Sequence, residues 1–135
     1  MEFFAPRVNQ DTSVFWEGCR RHQLCFQRCT HCGKVRWPGA WLCPDCLHEE
    51  WEPAELAPEG VIYSYVVMEK PFHPSVEDKV PYVVATVDLA DGVRILTNLV
   101  DCDPARIRCG APVQIDFCDS ETYSRPVARL KGDEV

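Results

Sequence analysis

Cys29-Thr-His-Cys32 and Cys43-Pro-Asp-Cys46, with ten residues between the pairs, constrain this chain more than any other feature. A Cys-x-x-Cys turn puts both sulfurs on one side of a tight loop, and two such knuckles can close a tetrahedral thiolate cage around one metal ion. Gly33 follows the first pair directly and supplies the permissive dihedrals that the exit of such a loop needs, while Pro44 stiffens the second loop. Four sulfur ligands leave no open position for water or substrate, so the expected role is structural. Zinc is the expected ion, one per chain, although a four-thiolate site also accepts iron. A redox dithiol needs one pair in a strand–helix–strand setting. Covalent haem attachment needs histidine directly after the second cysteine, where this chain has Gly33 and Leu47.

A ribbon of about 30 residues cannot bury enough apolar surface alone and takes its stability from the ion. Within 135 residues that leaves room for a second unit with a conventional core. The expected division is residues 1–57 for an N-terminal helix and metal ribbon, and 58–135 for the second unit. The first residues lack a basic, apolar leader, and no apolar run approaches the ~18 residues of a membrane span. A cytoplasmic protein is expected, without a membrane partner. Cys19, Cys25, Cys102, Cys109 and Cys118 lie outside the cage and fit a reducing compartment as core fillers or inert thiols.

The formal charge of -7 disfavours nucleic acid, which is held largely by Lys and Arg on phosphates. Charge is nevertheless polarised along the ribbon. Residues 18–42 carry Arg20, Arg21, Arg28, Lys34 and Arg36 and no acid, whereas residues 43–59 carry six acids and no base. These charges either form a binding patch or solvate opposite faces of a small unit.

Asp11-Thr12-Ser13 is an N-cap cluster, and the apolar spacing after it predicts a short helix ending near Gln23. Leu24–Gln27 and Val35–Trp41 read as strands flanking the first knuckle, with Trp37, Trp41 and Trp51 expected around the metal loops. Pro53–Pro58 reads as a connector, after which the periodicity changes to two. Strands are expected at 61–68 and 82–89, then an Ala90-Asp91-Gly92 turn and a partner strand at 93–100. Asp103-Pro104 through Gly110 describes one or two helical turns. Strands around Val113–Phe117 and Val127–Leu130 follow, with a frayed tail from Lys131. Five strands with a helix between the third and fourth match the OB-fold, a small Greek-key barrel. The fold class is thus mainly β with a short N-terminal helix: a rubredoxin-like zinc ribbon followed by a five-stranded OB-fold barrel.

No phosphate loop, nucleophile elbow or His-Glu-x-x-His motif is present. His22, His31, His48 and His73 are scattered, two of them beside the cage. Phe72 and His73 sit between Pro71 and Pro74 in the loop after the first barrel strand, where OB-folds often take ligands, although a merely solvated loop accounts for them as well.

Phe15-Trp16-Glu17-Gly18, Gln27-Arg28-Cys29-x-x-Cys32-Gly33, Cys43-Pro44-x-Cys46, Gly60-Val61-Ile62-Tyr63-Ser64, Pro81-Tyr82-Val83-Val84-Ala85 and Leu96-Thr97-Asn98-Leu99-Val100 follow one another in that order. This series resembles the zinc-ribbon plus OB-fold acyl-CoA-associated family, accessory proteins of thiolase-superfamily enzymes. Settings of that family include archaeal acetyl-CoA acetyltransferase complexes with hydroxymethylglutaryl-CoA synthase, benzoylsuccinyl-CoA thiolase and steroid side-chain aldolases. The resemblance implies a non-catalytic subunit that helps a thiolase-like catalytic subunit bind or orient a CoA thioester, in a heterotetramer with two copies of each chain. It transfers Cys29, Cys32, Cys43 and Cys46 as metal ligands. Arg28, Lys34 and Arg36 are candidate contacts for the CoA phosphates, and Phe72 and His73 for the acyl end or the partner. The competing expectation is a zinc-ribbon and OB-fold binder of single-stranded nucleic acid, which would need a basic groove that this acidic chain does not obviously provide.

Overall fold

The computed structural model describes residues 6–71, 73–74 and 77–131. One helix, α1 (Ser13–Arg20), precedes a three-stranded antiparallel sheet of β1 (Leu24–Cys29), β2 (Val35–Arg36) and β3 (Trp51–Leu56), in the order β2-β1-β3. The rest is a closed barrel of β4 (Glu59–Met68), β5 (Tyr82–Asp88), β6 (Arg94–Leu99), β7 (Pro112–Asp119) and β8 (Ser124–Leu130), in the order β4-β5-β6-β8-β7. β7 closes on β4, and β6 pairs with β8 in parallel. A single helical turn at Pro104–Arg106 lies between the third and fourth barrel strands, as the OB-fold requires.

The alternation of Val83, Ala85 and Val87 in β5 with Ile95, Thr97 and Leu99 in β6 fills the barrel, together with Ile62, Val113, Ile115 and Ala128. Asp91 (φ 56°) and Gly92 (φ 74°) make the tight turn between β5 and β6. At the short helical turn, Asp103 accepts a hydrogen bond from the Ala105 N–H at 3.0 Å. The turn then delivers Ile107, buried, to the barrel, where the Tyr65 hydroxyl donates to the Ile107 carbonyl at 3.2 Å. The short parallel pairing of β6 with β8 is reinforced by side chains. Thr97 Oγ1 donates to the Pro126 carbonyl at 2.9 Å and Arg125 donates to Asn98 Oδ1 at 2.8 Å. Gly60 is required by close approach, since a Cβ there would stand 2.2 Å from the Asp88 carbonyl oxygen.

Four elements depart from the sequence reading. The helix ends at Arg20, because His22 turns the chain into the left-handed region at φ 60°. Its entry turn is held by Asn9, whose Oδ1 accepts from the N–H groups of Asp11 and Thr12, while Thr12 Oγ1 accepts from the Asn9 N–H and caps no helix N–H. The expected strand at 35–41 shortens to two residues, since Pro38 and Gly39 interrupt it. Pro53–Pro58 is largely strand and not connector: β3 pairs with β1 along its whole length, from Leu24↔Leu56 to Cys29↔Trp51. β3 is an edge strand, so Pro53 can sit there without breaking a central ladder.

The helix covers the ribbon and also ties it to the barrel. Phe15 packs against Phe26 of β1 (centroids 5.6 Å apart) and Trp37 (4.3 Å). Trp37 therefore belongs to this aromatic core, while Trp41 is 63% exposed. From the last turn, Arg20 donates to the carbonyls of Ser120 and Glu121 in the β7–β8 turn. Beyond Lys131 the expected frayed tail lies outside the described residues.

Candidate metal centre

Each knuckle is built by the same local bonding. The Gly33 N–H donates to the Cys29 carbonyl at 3.0 Å, and the Leu47 N–H donates to the Cys43 carbonyl at 2.9 Å. The ends are tied likewise, Cys29 N–H to the Lys34 carbonyl and Cys43 N–H to the His48 carbonyl. Backbone N–H groups also point at the sulfurs in a repeated pattern. Those of His31 and Cys32 meet Cys29, those of Asp45 and Cys46 meet Cys43, that of Lys34 meets Cys32 and that of His48 meets Cys46. Such donors favour the thiolate over the thiol, and Cys29 and Cys43 are lowered, whereas burial and the neighbouring cage sulfurs outweigh the donors at Cys32 and Cys46, which are raised. The Cys32 and His31 amides pull the Cys29 thiol down to about 6.

All four sulfurs lie within 4.8 Å of one another. Cys29 Sγ stands 3.5 Å from Cys46 Sγ, and Cys32 Sγ 3.6 Å from Cys43 Sγ. A zinc ion with thiolates at about 2.3 Å has tetrahedral edges of about 3.8 Å, so the cluster fits one such ion with small adjustments. The cysteines are thiols and not disulfides. Around the cage, Lys34 bridges the two knuckles through Asp45 at 3.4 Å, and the rings of His31 and His48 stack 4.5 Å apart.

The remaining candidates are dispersed. Arg28 leaves the end of β1 toward Glu52 at 4.0 Å. Arg36 is buried, with Nε donating to Gln27 Oε1 at 2.7 Å and Nη2 to the Ala40 carbonyl at 3.0 Å. Its guanidinium therefore organises the ribbon interior and does not face solvent as Arg28 and Lys34 do. His73 is exposed in the β4–β5 loop, and Phe72 lies outside the described residues. Of the five remaining thiols, Cys19 and Cys25 are buried, and burial pushes Cys19 up to about 12, an inert form.

One cluster escaped the sequence reading. His22 Nε2 meets Asp119 Oδ1 at 2.9 Å, and Ser124 Oγ donates to the same oxygen at 2.5 Å. These are the residue types of a hydrolytic triad in the wrong arrangement. Serine and histidine both engage the carboxylate, and Ser124 is 1% exposed and also accepts from Arg20. The cluster clamps the helix to the β7–β8 turn. No local motif could reveal it, because His22 lies 97 positions from Asp119.

Residues 53–118 match the family model described as the C-terminal OB-fold domain of ChsH2. The chain is 39% identical over 116 residues to a probable enoyl-CoA hydratase alpha subunit of Thermomonospora curvata, covering 86% of this chain and 36% of that protein. The match thus spans little more than a third of that relative's length. A DUF35 domain-containing scaffold protein of Methanothermobacter thermautotrophicus is 36% identical over 99 residues, covering 73% of this chain and 74% of the relative. The benzoylsuccinyl-CoA thiolase subunit BbsA of Thauera aromatica is 32% identical over 88 residues, covering 65% and 58%. Among solved structures, a chain of the Ltp2-ChsH2(DUF35) aldolase superposes with a TM-score of 0.85 at 37% identity, covering 93% of this chain and 98% of that one. Fold, cysteine cage and these likenesses agree: the chain belongs to the DUF35 family, with a four-cysteine cluster that fits a zinc ribbon and an OB-fold barrel after it.

Proposed function

We propose that this chain is a non-catalytic accessory subunit, which binds a thiolase-superfamily enzyme and assists it in binding or orienting an acyl-CoA during carbon–carbon bond cleavage or formation. The observation that carries this reading is the likeness to a chain of the Ltp2-ChsH2(DUF35) aldolase, which extends over 98% of that chain. The cage supports it from the chemical side. One zinc held by Cys29, Cys32, Cys43 and Cys46 would supply folding free energy and rigidity, with no ligand position left for substrate. The partner supplies the nucleophile and bases, and two copies of each chain make up the complex.

Arg28 and Lys34 lie on the cage side of the ribbon and are the residues assigned to the CoA phosphates. Each would exchange a surface carboxylate, Glu52 or Asp45, for a phosphate oxygen. Arg36 is assigned no such contact, since using it would strip Gln27 and Ala40 of their donor. Phe72 and His73 remain assigned to the acyl end.

Tagged chain recovered from its native cytoplasm, with its companions identified by mass spectrometry, tests the reading. A thiolase-superfamily protein in equal amount is expected, together with acyl-CoA turnover by the pair and none by the chain alone. Turnover by the isolated chain, or recovery with single-stranded nucleic acid in place of such an enzyme, would refute it.

A further inference from the structure

The two knuckles share a backbone conformation at a position where their residues differ. The residue after the second cysteine adopts a left-handed conformation in both, Gly33 at φ 82° and Leu47 at φ 64°. Glycine takes this conformation freely and leucine does not. Burial gives no reason for leucine there, because Leu47 is 70% exposed. Trp41, 63% exposed, stands on the same loop, and the two side chains line an open cleft of about 430 Å³ with Leu42, His48, Glu49 and Glu50. The Glu49 and Glu50 carboxylates form no ion pair among the described residues. They lie in the stretch of residues 43–59 that carries six acids and no base.

An exposed indole, an aliphatic side chain held in an unfavourable conformation and two unpaired carboxylates make a complementary surface for one chemical group. A guanidinium can stack on the indole face while its N–H fork meets a carboxylate, and its aliphatic stem can lie on leucine. We propose that this cleft receives an arginine side chain presented by the catalytic subunit, and that Trp41, Leu47, Glu49 and Glu50 form the anchor of that interface. The proposal rests on the accessory role above only for the identity of the partner; the chemistry of the cleft stands on its own residues.

Two measurements on the full zinc-loaded chain test it. The first is its affinity for Ltp2, the protein named with the structural relative, by calorimetry. Trp41→Ala and the pair Glu49→Lys with Glu50→Lys should each weaken binding at least about tenfold. Leu47→Gly should weaken it about threefold, with a thermal midpoint equal to or above wild type. The second follows the Trp41 indole N–H by NMR during titration with arginine methyl ester. A saturable shift is expected, absent in Trp41→Ala and much smaller with norleucine methyl ester. Ltp2 binding that survives all three changes within about twofold overturns the proposal and leaves the accessory role standing. Failure of wild type to bind Ltp2, with a saturable arginine shift, counts against the accessory role for that partner and supports the cleft. Absence of the arginine shift together with unaltered or absent Ltp2 binding overturns the cleft.

Discussion

Gln27→Leu is expected to destabilise the protein far more than the loss of one amide suggests. Gln27 is 1% exposed in the middle of β1 and joins three segments. Its Oε1 accepts from Arg36 Nε at 2.7 Å and from the Ala40 N–H at 3.1 Å, and its Nε2 donates to the Asp11 carbonyl at 3.3 Å. A hydrogen bond to a charged donor is worth about 1.5–3 kcal/mol, and each of the two neutral bonds about 1 kcal/mol. Leucine also leaves the buried Arg36, whose Nη1 already has no partner among the described residues, with the Ala40 carbonyl as its remaining acceptor. The loss comes to about 3.5–5 kcal/mol against a total stability of about 5–15 kcal/mol. For a chain of this size that is a fall in Tm of roughly 10–20 °C. Thermal unfolding followed by circular dichroism, with zinc in constant excess, measures it. Combining Gln27→Leu with Arg36→Met removes the stranded charge along with its acceptor, so the double variant should recover a large part of the loss. A Gln27→Leu protein within about 1 kcal/mol of wild type, or a double variant as unstable as the sum of the singles, would refute the reasoning.

Two further outcomes follow from the barrel and its clamp. Gly60→Ala drives a Cβ against the Asp88 carbonyl at 2.2 Å and Val87 Cγ1 at 2.9 Å, and should cost about 3 kcal/mol in urea unfolding, because the β4–β5 ladder must shift to admit it. In the clamp, the hydrogen bond from Ser124 and then that from His22 hold the Asp119 carboxyl below its usual range. A depressed folded pKa gives stability that is present above the unfolded value, near 3.9, and lost as pH falls through the folded one. Asp119→Asn should therefore be less stable than wild type at neutral pH and converge with it as pH falls through the depressed folded pKa of Asp119; a constant difference across the acid range would contradict the assignment.

The barrel was readable because period-two alternation and the Asp91-Gly92 turn are local signals that a buried sheet face imposes on every strand. The cage was readable because metal ligands must sit at fixed spacing. β3 was misread because Pro53 and Pro58 punctuate it, and proline marks a connector or an edge strand equally well. Ala54 and Leu56, both buried, carried the period-two trace of the strand. The internal role of Arg36 was hidden because its partners Gln27 and Ala40 are set by the pairing of β1 with β2 and by the loop after Trp37. The aromatic core of Phe15, Phe26 and Trp37, and the clamp of His22, Asp119 and Ser124, join segments that only the tertiary fold brings together.

Metal content is the most direct test of a ribbon organised by a closed four-thiolate site. Elemental analysis of chain prepared under reducing, metal-controlled conditions should find about one zinc per polypeptide, and Cys46→Ser should lose the ion together with the β1–β3 sheet, seen as loss of amide protection in residues 24–29 and 51–56. A chain with no bound transition metal and that sheet still fully protected would contradict it.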